Sequence, residues 1–564
     1  MGDKASEATA ISDGIGEKRV PREEEEEEVG EQVEGTQARY LPFRQLMIVY
    51  MGIAAAIFLA ALDSLIISTC IPSIIGEFNS LNQISWITTA FLLTQTIFQP
   101  MYGKASDVFG RRNVILSAIV IFEVGNIVCG AAPSMVVLII GRAVSGIGAG
   151  GIVTMSVIII SDVVSLRERG KYQGIISAVF AVSSIVGPLL GGVFADHVSW
   201  RWAFYINAPL GLVSGLILLF FLRLPAVKGS FREKLGRIDW YGCAVLAISL
   251  VGILLAISWG GNDYAWSSGP VLGTLLPGIA LLGLFIWIEM KVAVEPVVST
   301  HVFRNISVSA SLLATILFNA AFFGMLLYTT VYFQMIKGES PTTAGLELAP
   351  MMLAIVFTSI LSGFLTSYTG RYRFLFWAGT AIMAVGSGLL TLLDENTTRA
   401  QEIGYLIVGG AGIGMLMQPL LIAAQSAVDY KDVSLVSALS QFFRSTGNMI
   451  GTAVVSSVFN NSLISSLESR RAAGLLPSNF NVDLAKQSYT YIQSLSKEHQ
   501  ALVLNSYVQA IRWVNITNIP FCLAALLVSL LIRHYKLSKN IVSKATQEDP
   551  SRASEKVDAS ANIA

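Results

Sequence analysis

Gly103-Lys104-Ala105-Ser106-Asp107-Val108-Phe109-Gly110-Arg111-Arg112 lies between two long apolar segments, and the reading of this stretch decides the fold. A linker this short makes its flanking helices antiparallel neighbours. Lys104, Arg111 and Arg112 hold it on the cytoplasmic side, because basic residues near span ends resist translocation. One loop therefore orients the whole chain. Gly103 and Gly110 permit a turn or a close backbone approach. Asp107 is placed to pair with an arginine or to sit at the positive end of a helix.

The 564 residues are 53% hydrophobic and only 13% charged, with a mean hydropathy of +0.62. That balance belongs to an all-α polytopic membrane protein in a lipid bilayer rather than to a soluble domain. Lys plus Arg and Asp plus Glu both number 38, so no global basic field points to nucleic acid. Cys70, Cys129, Cys243 and Cys522 show neither paired nor metal-ligand spacing, which argues against a disulfide framework or a metal site.

A helix needs about 20 apolar residues to cross the hydrocarbon core, and by that ruler about fourteen spans can be counted. The expected organisation begins with a disordered acidic cytoplasmic tail over 1–45, carrying the run Glu23 to Glu28. An N-terminal six-helix bundle over 46–223 follows. Cytoplasmic connectors and two inserted transmembrane helices, 240–260 and 271–290, fill 224–308. A C-terminal six-helix bundle occupies 309–532, with an extracytoplasmic loop over 460–510, and a cytoplasmic tail covers 533–564. Leu463, Ile464, Leu467, Tyr491, Ile492 and Leu495 in that loop suggest amphipathic helices lying on the outer surface. An even span count puts both termini in the cytoplasm. An internal echo supports the two halves: Gly363 to Arg373 repeats the opening loop, with Ser367 where Asp107 stands.

An ionised group at the membrane centre costs on the order of 2.5 to 3.5 kcal/mol, so such groups face the bundle interior. Asp63, Glu123, Arg142, Glu347 and Arg444 are the five candidates for proton coupling or substrate contact. Asp63 in the first span and Arg142 in the fourth belong to the same half. An acid and a base so placed can neutralise each other, and protonating the acid would release the pair. A fixed ion pair that sets helix packing is the competing role. In the fifth span, Ser183-Ser184-Ile185-Val186-Gly187-Pro188-Leu189-Leu190-Gly191-Gly192 combines small residues for close packing with a proline that bends the helix. Gly187, Pro188, Gly191 and Gly192 are the expected pivot.

These stretches resemble the major facilitator superfamily. The loop from Gly103 to Arg112 is similar to its signature between the second and third helices, and the run ending at Gly192 to the antiporter motif of its drug exporters. Leu62-Asp63 through Pro72, Trp200-Arg201-Trp202 with Asn207 and Pro209, Tyr332 to Pro350, and Gln441-Phe443-Arg444-Gly447-Gly451 resemble the fourteen-helix drug:proton antiporters. Their fungal exporters of drugs, toxins and secondary metabolites are the nearest type. The resemblance implies a major facilitator fold of two six-helix bundles plus two inserted helices, and proton-driven export. It gives roles to Asp63, Asp107, Arg111, Arg142 and the Gly187 to Gly192 kink, with Gly103, Gly110 and Arg112 completing the conformational gate.

No Gly-x-x-x-x-Gly-Lys-Ser/Thr stretch is present, so no nucleotide or other cofactor is expected, and the energy comes from the proton gradient. One charge crossing 100 mV yields about 2.3 kcal/mol, enough for roughly a fifty-fold gradient. The expected protein is not an enzyme. It is a monomeric, multi-pass plasma-membrane antiporter whose partners are protons and a small amphipathic substrate. The alternative is a vacuolar-membrane transporter of basic amino acids. Asn396 and Asn460 open the two glycosylation sequons on outer segments.

Overall fold

The computed structural model describes residues 42–537, apart from 79–82, 225–226, 228–229, 262–263, 294, 478–479 and 488. The polar tails up to residue 41 and from residue 538 lie outside the described residues. Among the described residues the chain is helical, with one isolated bridge between Gly260 and Tyr264. The first half comprises α1 (Phe43–Phe78), α2 (Ile84–Phe109), α3 (Arg111–Gly130), α4 (Met135–Val163), α5 (Arg169–His197), the short α6 (Trp202–Tyr205) and α7 (Asn207–Phe221). A connector helix α8 (Phe231–Gly236) leads to the pair α9 (Trp240–Trp259) and α10 (Gly269–Lys291). The second half comprises α11 (Ile306–Met335), α12 (Pro341–Glu347), α13 (Ala349–Thr369), α14 (Arg373–Leu390), α15 (Arg399–Ser426), α16 (Val433–Ala472), α17 (Val482–Gln487), α18 (Tyr489–Gln493) and α19 (Lys497–Ser529).

Thirteen helical stretches among the described residues are long and apolar enough to cross a membrane. Of the fourteen expected, α2 is the one that falls short. Thr88, Thr89, Thr94, Gln95, Thr96, Gln99, Lys104 and Asp107 dilute its hydropathy. The threonines are tolerated because their hydroxyls return to the helix's own carbonyls, Thr94 to Ala90 at 2.9 Å and Thr96 to Leu92 at 2.8 Å.

Each half is built around its fourth long helix. In α4, Gly146 and Gly150 lie against the α2 backbone while Gly148 lies against α3. In α15, Gly410 and Gly414 lie against α13 while Gly412 lies against α14. Two glycine faces on one helix let two neighbours approach to backbone contact. The signature loop and its echo each place a positive-φ glycine at the end of the first of the two helices they join. Gly110 joins α2 to α3 at φ +89°, and Gly370 joins α13 to α14 at φ +69°, a backbone region that glycine enters without strain. The halves cross through the other glycine of each copy: Gly103 meets Ala438 of α16, and Gly363 meets Gly170 of α5.

The segment after the thirteenth expected span corrects the sequence reading. α16 runs on to Ala472 and α19 starts at Lys497, so helices take up both ends of the expected 460–510 loop. Leu463 and Leu467 on α16 are buried against a core that includes Leu476, Phe480, Ile492, Val503 and Tyr507. The scattered apolar residues thus face one another across two extended helices instead of lying on a membrane surface. Asn460 accordingly stands inside a continuous helix and not in a loop, whereas Asn396 is exposed in the turn between α14 and α15.

The pair α9–α10 packs along α2 and α16. Leu246, Leu250, Leu254 and Phe285 meet Leu93 and Ile97 of α2, with Phe442 and Met449 of α16 alongside. After α10, Glu295 binds Arg237 and Lys104, each at 2.8 Å. Arg237 and then Lys104 hold the Glu295 carboxyl below the usual carboxylate range. A lowered value means this strap is charged throughout the physiological range, and its contribution is lost only as the pH falls below that range.

A Cβ at Gly148 would sit 2.6 Å from Phe122 Cα, whereas one at Gly388 would meet nothing within 4 Å. Gly148→Ala is expected to cost about 1 to 3 kcal/mol, read as a lower melting temperature in detergent, while Gly388→Ala leaves it unchanged or higher.

Candidate functional site

The interior of the first half holds an ion pair at full burial. Asp63 on α1 is 0% exposed and Arg142 on α4 is 1% exposed. Arg142 Nη1 donates to Asp63 Oδ2 at 2.6 Å. Its Nε donates to the Ile87 carbonyl at 3.2 Å, and its guanidinium lies 4.1 Å from the centroid of the Phe91 ring. The second oxygen of Asp63 accepts from Asn207 Nδ2 at 3.4 Å, at the start of α7. Four elements therefore fix one acid–base pair, which is the condition for keeping two charges in hydrocarbon.

Beside the pair stands an acid without a partner. Both carboxyl oxygens of Glu123 on α3 are buried and make no hydrogen bond, and the amide of Asn126 one turn later is likewise unpaired. Glu123 is close enough to Asp63 for their charges to act on each other. Of the five expected interior charges, three are thus near one another: Arg142 paired with Asp63, and Glu123 beside Asp63.

The other two part company. Glu347 is the last residue of α12 and binds Arg399 at 2.6 Å, and that arginine is 74% exposed. Its expected place at the membrane centre is therefore wrong. The break before Pro350 leaves α12 as a separate short helix at the rim. Arg444 does lie mid-helix in α16, and it makes no hydrogen bond or ion pair among the described residues.

A second cluster joins the halves at the signature-loop end. Arg111 Nε donates to Asp162 Oδ2 at 2.8 Å, Nη1 to Asp107, and Nη2 crosses to Ser434 Oγ of α16 at 2.7 Å. Arg112 turns away and caps the Leu219 carbonyl of α7. Deeper in, Arg169 Nη1 donates to Gln425 Oε1 at 3.1 Å, and Gln425 Nε2 donates to Ser161 at 2.9 Å and Ser437 at 2.8 Å. Arg167 reaches the carbonyls of Ser367 at 2.6 Å and Tyr368 at 2.7 Å, the last turn of α13. Gln418 Nε2 donates to Ser177 of α5 at 3.0 Å. These bonds close the bundle at this end.

The sequence reading missed Asp162, Ser434, Gln425 and Arg169. Asp162 ends an apolar run, and Arg169 stands among basic neighbours after the fourth span, although it is only 4% exposed. The available signal was two glutamines, Gln418 and Gln425, in an otherwise apolar span. Of the expected pivot, Gly187 and Gly191 seat against Leu65, Ile66 and Thr69 of α1, while Gly192 meets nothing within 4 Å. The Pro188 side chain lies outside the described residues.

Two six-helix groups that meet around a closed latch, with a charge pair inside one of them, are the form of a secondary transporter. The profile of the Major Facilitator Superfamily matches residues 53–452, and the chain belongs to that family. It is a membrane transporter rather than an enzyme. It is similar to the MFS-type efflux pump MFS1 of Arthroderma benhamiae, 37% identical over 424 residues, 74% of this chain and 79% of that protein. It is also similar to the efflux pump aflT of Aspergillus parasiticus, 36% identical over 438 residues, 77% of this chain and 85% of that protein. A bacterial homologue of the human lysosomal transporter Spinster, solved inward-facing and occupied, superposes with a TM-score of 0.55 at 16% identity, over 89% of this chain and 100% of that one. That likeness concerns the fold alone.

Removing one member of the buried pair orphans the other. Asp63→Asn and Arg142→Gln are each expected to cost about 3 to 5 kcal/mol, and the double variant less than either alone. Melting of the three purified variants in detergent checks the order.

Proposed function

We propose that the chain is a proton-driven exporter of small amphipathic organic compounds, such as drugs, toxins or secondary metabolites. The observation that carries this reading is the charge imbalance around Arg142. Asp63 holds Arg142, and Glu123, buried without a hydrogen bond, is close enough to Asp63 for their charges to act on each other. One proton shared by the two acids balances the charge. A second proton, taken up at Asp63, removes the partner of Arg142 and frees α1 from α4 and α7. Binding of a proton to one state and not the other is what shifts the equilibrium between the two. The efflux names of the relatives support the direction of transport.

The thirteen apolar helices and α2 together make fourteen spans, with both termini in the cytoplasm. Arg111, Arg112, Arg167, Arg169 and Lys171 put the latched end on that side, so the bundle described here is shut toward the cytoplasm. The latch then opens and re-forms once per cycle, and the protein works as a monomer in the plasma membrane. The basic amino acid alternative needs acids to meet a cationic cargo, and Glu347, at the rim, is already taken by Arg399. Asn396 is the residue of choice for glycosylation.

Inside-out vesicles with an acid lumen should accumulate a labelled lipophilic compound, and Asp63→Asn should lower that accumulation at least about ten-fold while passive equilibration persists. Accumulation by Asp63→Asn at the wild-type rate with an unchanged pH response overturns the proposal. Separately, Asn396→Gln should abolish the mobility shift that a glycosidase produces, whereas Asn460→Gln should leave it intact.

A further inference from the structure

Arg444 is the interior charge for which the proton cycle has no use. Positions 437, 444 and 451 are seven residues apart on α16, two helical turns each way, and so share one face. Ser437 on that face accepts a hydrogen bond from Gln425 of α15, and Gly451 lies against Ala320 of α11. The Cβ of Arg444 is therefore directed toward α11 and α15 rather than toward lipid. It stands eleven residues past Val433, about 16 Å along the helix at 1.5 Å per residue, roughly halfway through a 30 Å core.

No charged group among the described residues acts on the Arg444 guanidinium, and no described atom accepts a hydrogen bond from it. Yet the residue is not sealed off: its exposure is intermediate rather than nil. Nearby polar atoms are unpaired as well. The Oδ1 of Asn319 on α11 and the Oδ1 of Asn448, one turn further along α16, have no partners. The Cβ of Asn319 lies 3.1 Å from where a Gly447 Cβ would stand, which places it one turn from Arg444. A guanidinium does not deprotonate in proteins, and an uncompensated charge at this depth is kept only where it meets something.

We infer that Arg444 receives an acidic oxygen of the transported compound, so that the preferred cargo is an amphipathic organic acid bound with its carboxylate or an equally acidic group on the guanidinium fork. Asn319 and Asn448 then meet neutral polar groups beside it. The inference rests on the export reading and adds the chemical class of the cargo. The division of labour is by half: the proton is handled around Arg142 and the cargo charge at Arg444.

The test is equilibrium binding to the purified full chain in detergent at pH 7, without any gradient, using 1-pyrenebutyrate and 1-pyrenebutanol. The two share one aromatic body and differ in the carboxylate, which is ionised at that pH. Wild type should bind the acid at least about ten-fold more tightly than the alcohol. Arg444→Gln should erase the preference and leave the alcohol's affinity unchanged, and Arg444→Lys should keep part of it, since charge remains while the fork is lost. Because no partner is orphaned, Arg444→Gln should melt no lower than wild type. The inference is overturned if wild type shows no preference, if Arg444→Gln keeps it, if that variant loses both probes equally, or if it melts markedly lower. Preferential binding by wild type together with vesicles that never accumulate either probe would sink the export reading and leave this assignment standing.

Discussion

Two opposite charges that must stay together in a medium unable to solvate them constrain everything else in the first half. Asp63 and Arg142 gain from each other only what good geometry and further hydrogen bonds allow, because burying both is itself costly. The Phe91 ring, the Ile87 carbonyl and the Asn207 amide complete that geometry. The first two come from α2 and the third from α7, so α1, α2, α4 and the start of α7 cannot shift independently while the pair is intact. Arg111 and Asp162 are a contrast. They are 19% and 10% exposed at the side chain, and Arg111 divides its donors between its own half and Ser434. The bond to Ser434 that crosses between the halves can part while this partly exposed pair stays within its own half, whereas a sealed pair parts only when one charge is removed.

The two halves repeat a backbone and not a chemistry. The same glycine pattern on α4 and α15 and a positive-φ glycine at each corresponding turn, Gly110 and Gly370, give each half one architecture. The charges are unequal. Where the first copy has Asp107 to hold Arg111, the second has Ser367, whose carbonyl instead receives Arg167 from the other half. One side of the latch is thus made of ionised side chains and the other of the exposed carbonyls at a helix C-terminus, which carry partial negative charge of their own. The interiors differ in the same sense: an Asp63–Arg142 pair with the unpaired acid Glu123 beside it in one half, amides near a lone Arg444 in the other.

Much of this was legible in the residues. The apolar runs give the helices, the Gly103–Arg112 stretch gives the turn at Gly110, and two charges in spans of the same half give the Asp63–Arg142 pair, because hydrocarbon admits few other arrangements. What could not be read follows from the same physics. Glu347 looked interior because its neighbours are apolar, but the helix stop before Pro350 lifts it to the rim. Leu463 and Leu467 looked like a membrane-facing stripe because periodicity shows that a face is buried and not against what. Asp162 and Arg169 were passed over at span ends, where a charge is ordinary, and only the folded chain shows Asp162 holding Arg111 and Arg169 buried against Gln425.

The inserted pair adds a constraint that bears on how the halves can move. Two seams join the halves, α2 with α16 and α5 with α13. The first is covered by α9–α10, and it is pinned at both ends. At one end Lys104 of α2 holds Glu295. At the other, the Trp259 ring meets Trp86 of α2 at 6.1 Å and Trp266 Nε1 reaches Ser457 of α16 at 3.3 Å. The α5–α13 seam has no such cover, and Gly170, Gly174 and Gly363 bring its backbones together directly. A relative rotation of the halves must therefore shear the apolar layer of Leu250, Leu254 and Phe442 on one side, where side chains slide at constant burial, and separate glycine contacts on the other, where few side-chain contacts are lost. The insertion makes the two seams unequal, so the halves turn more freely about the glycine side than about the covered one.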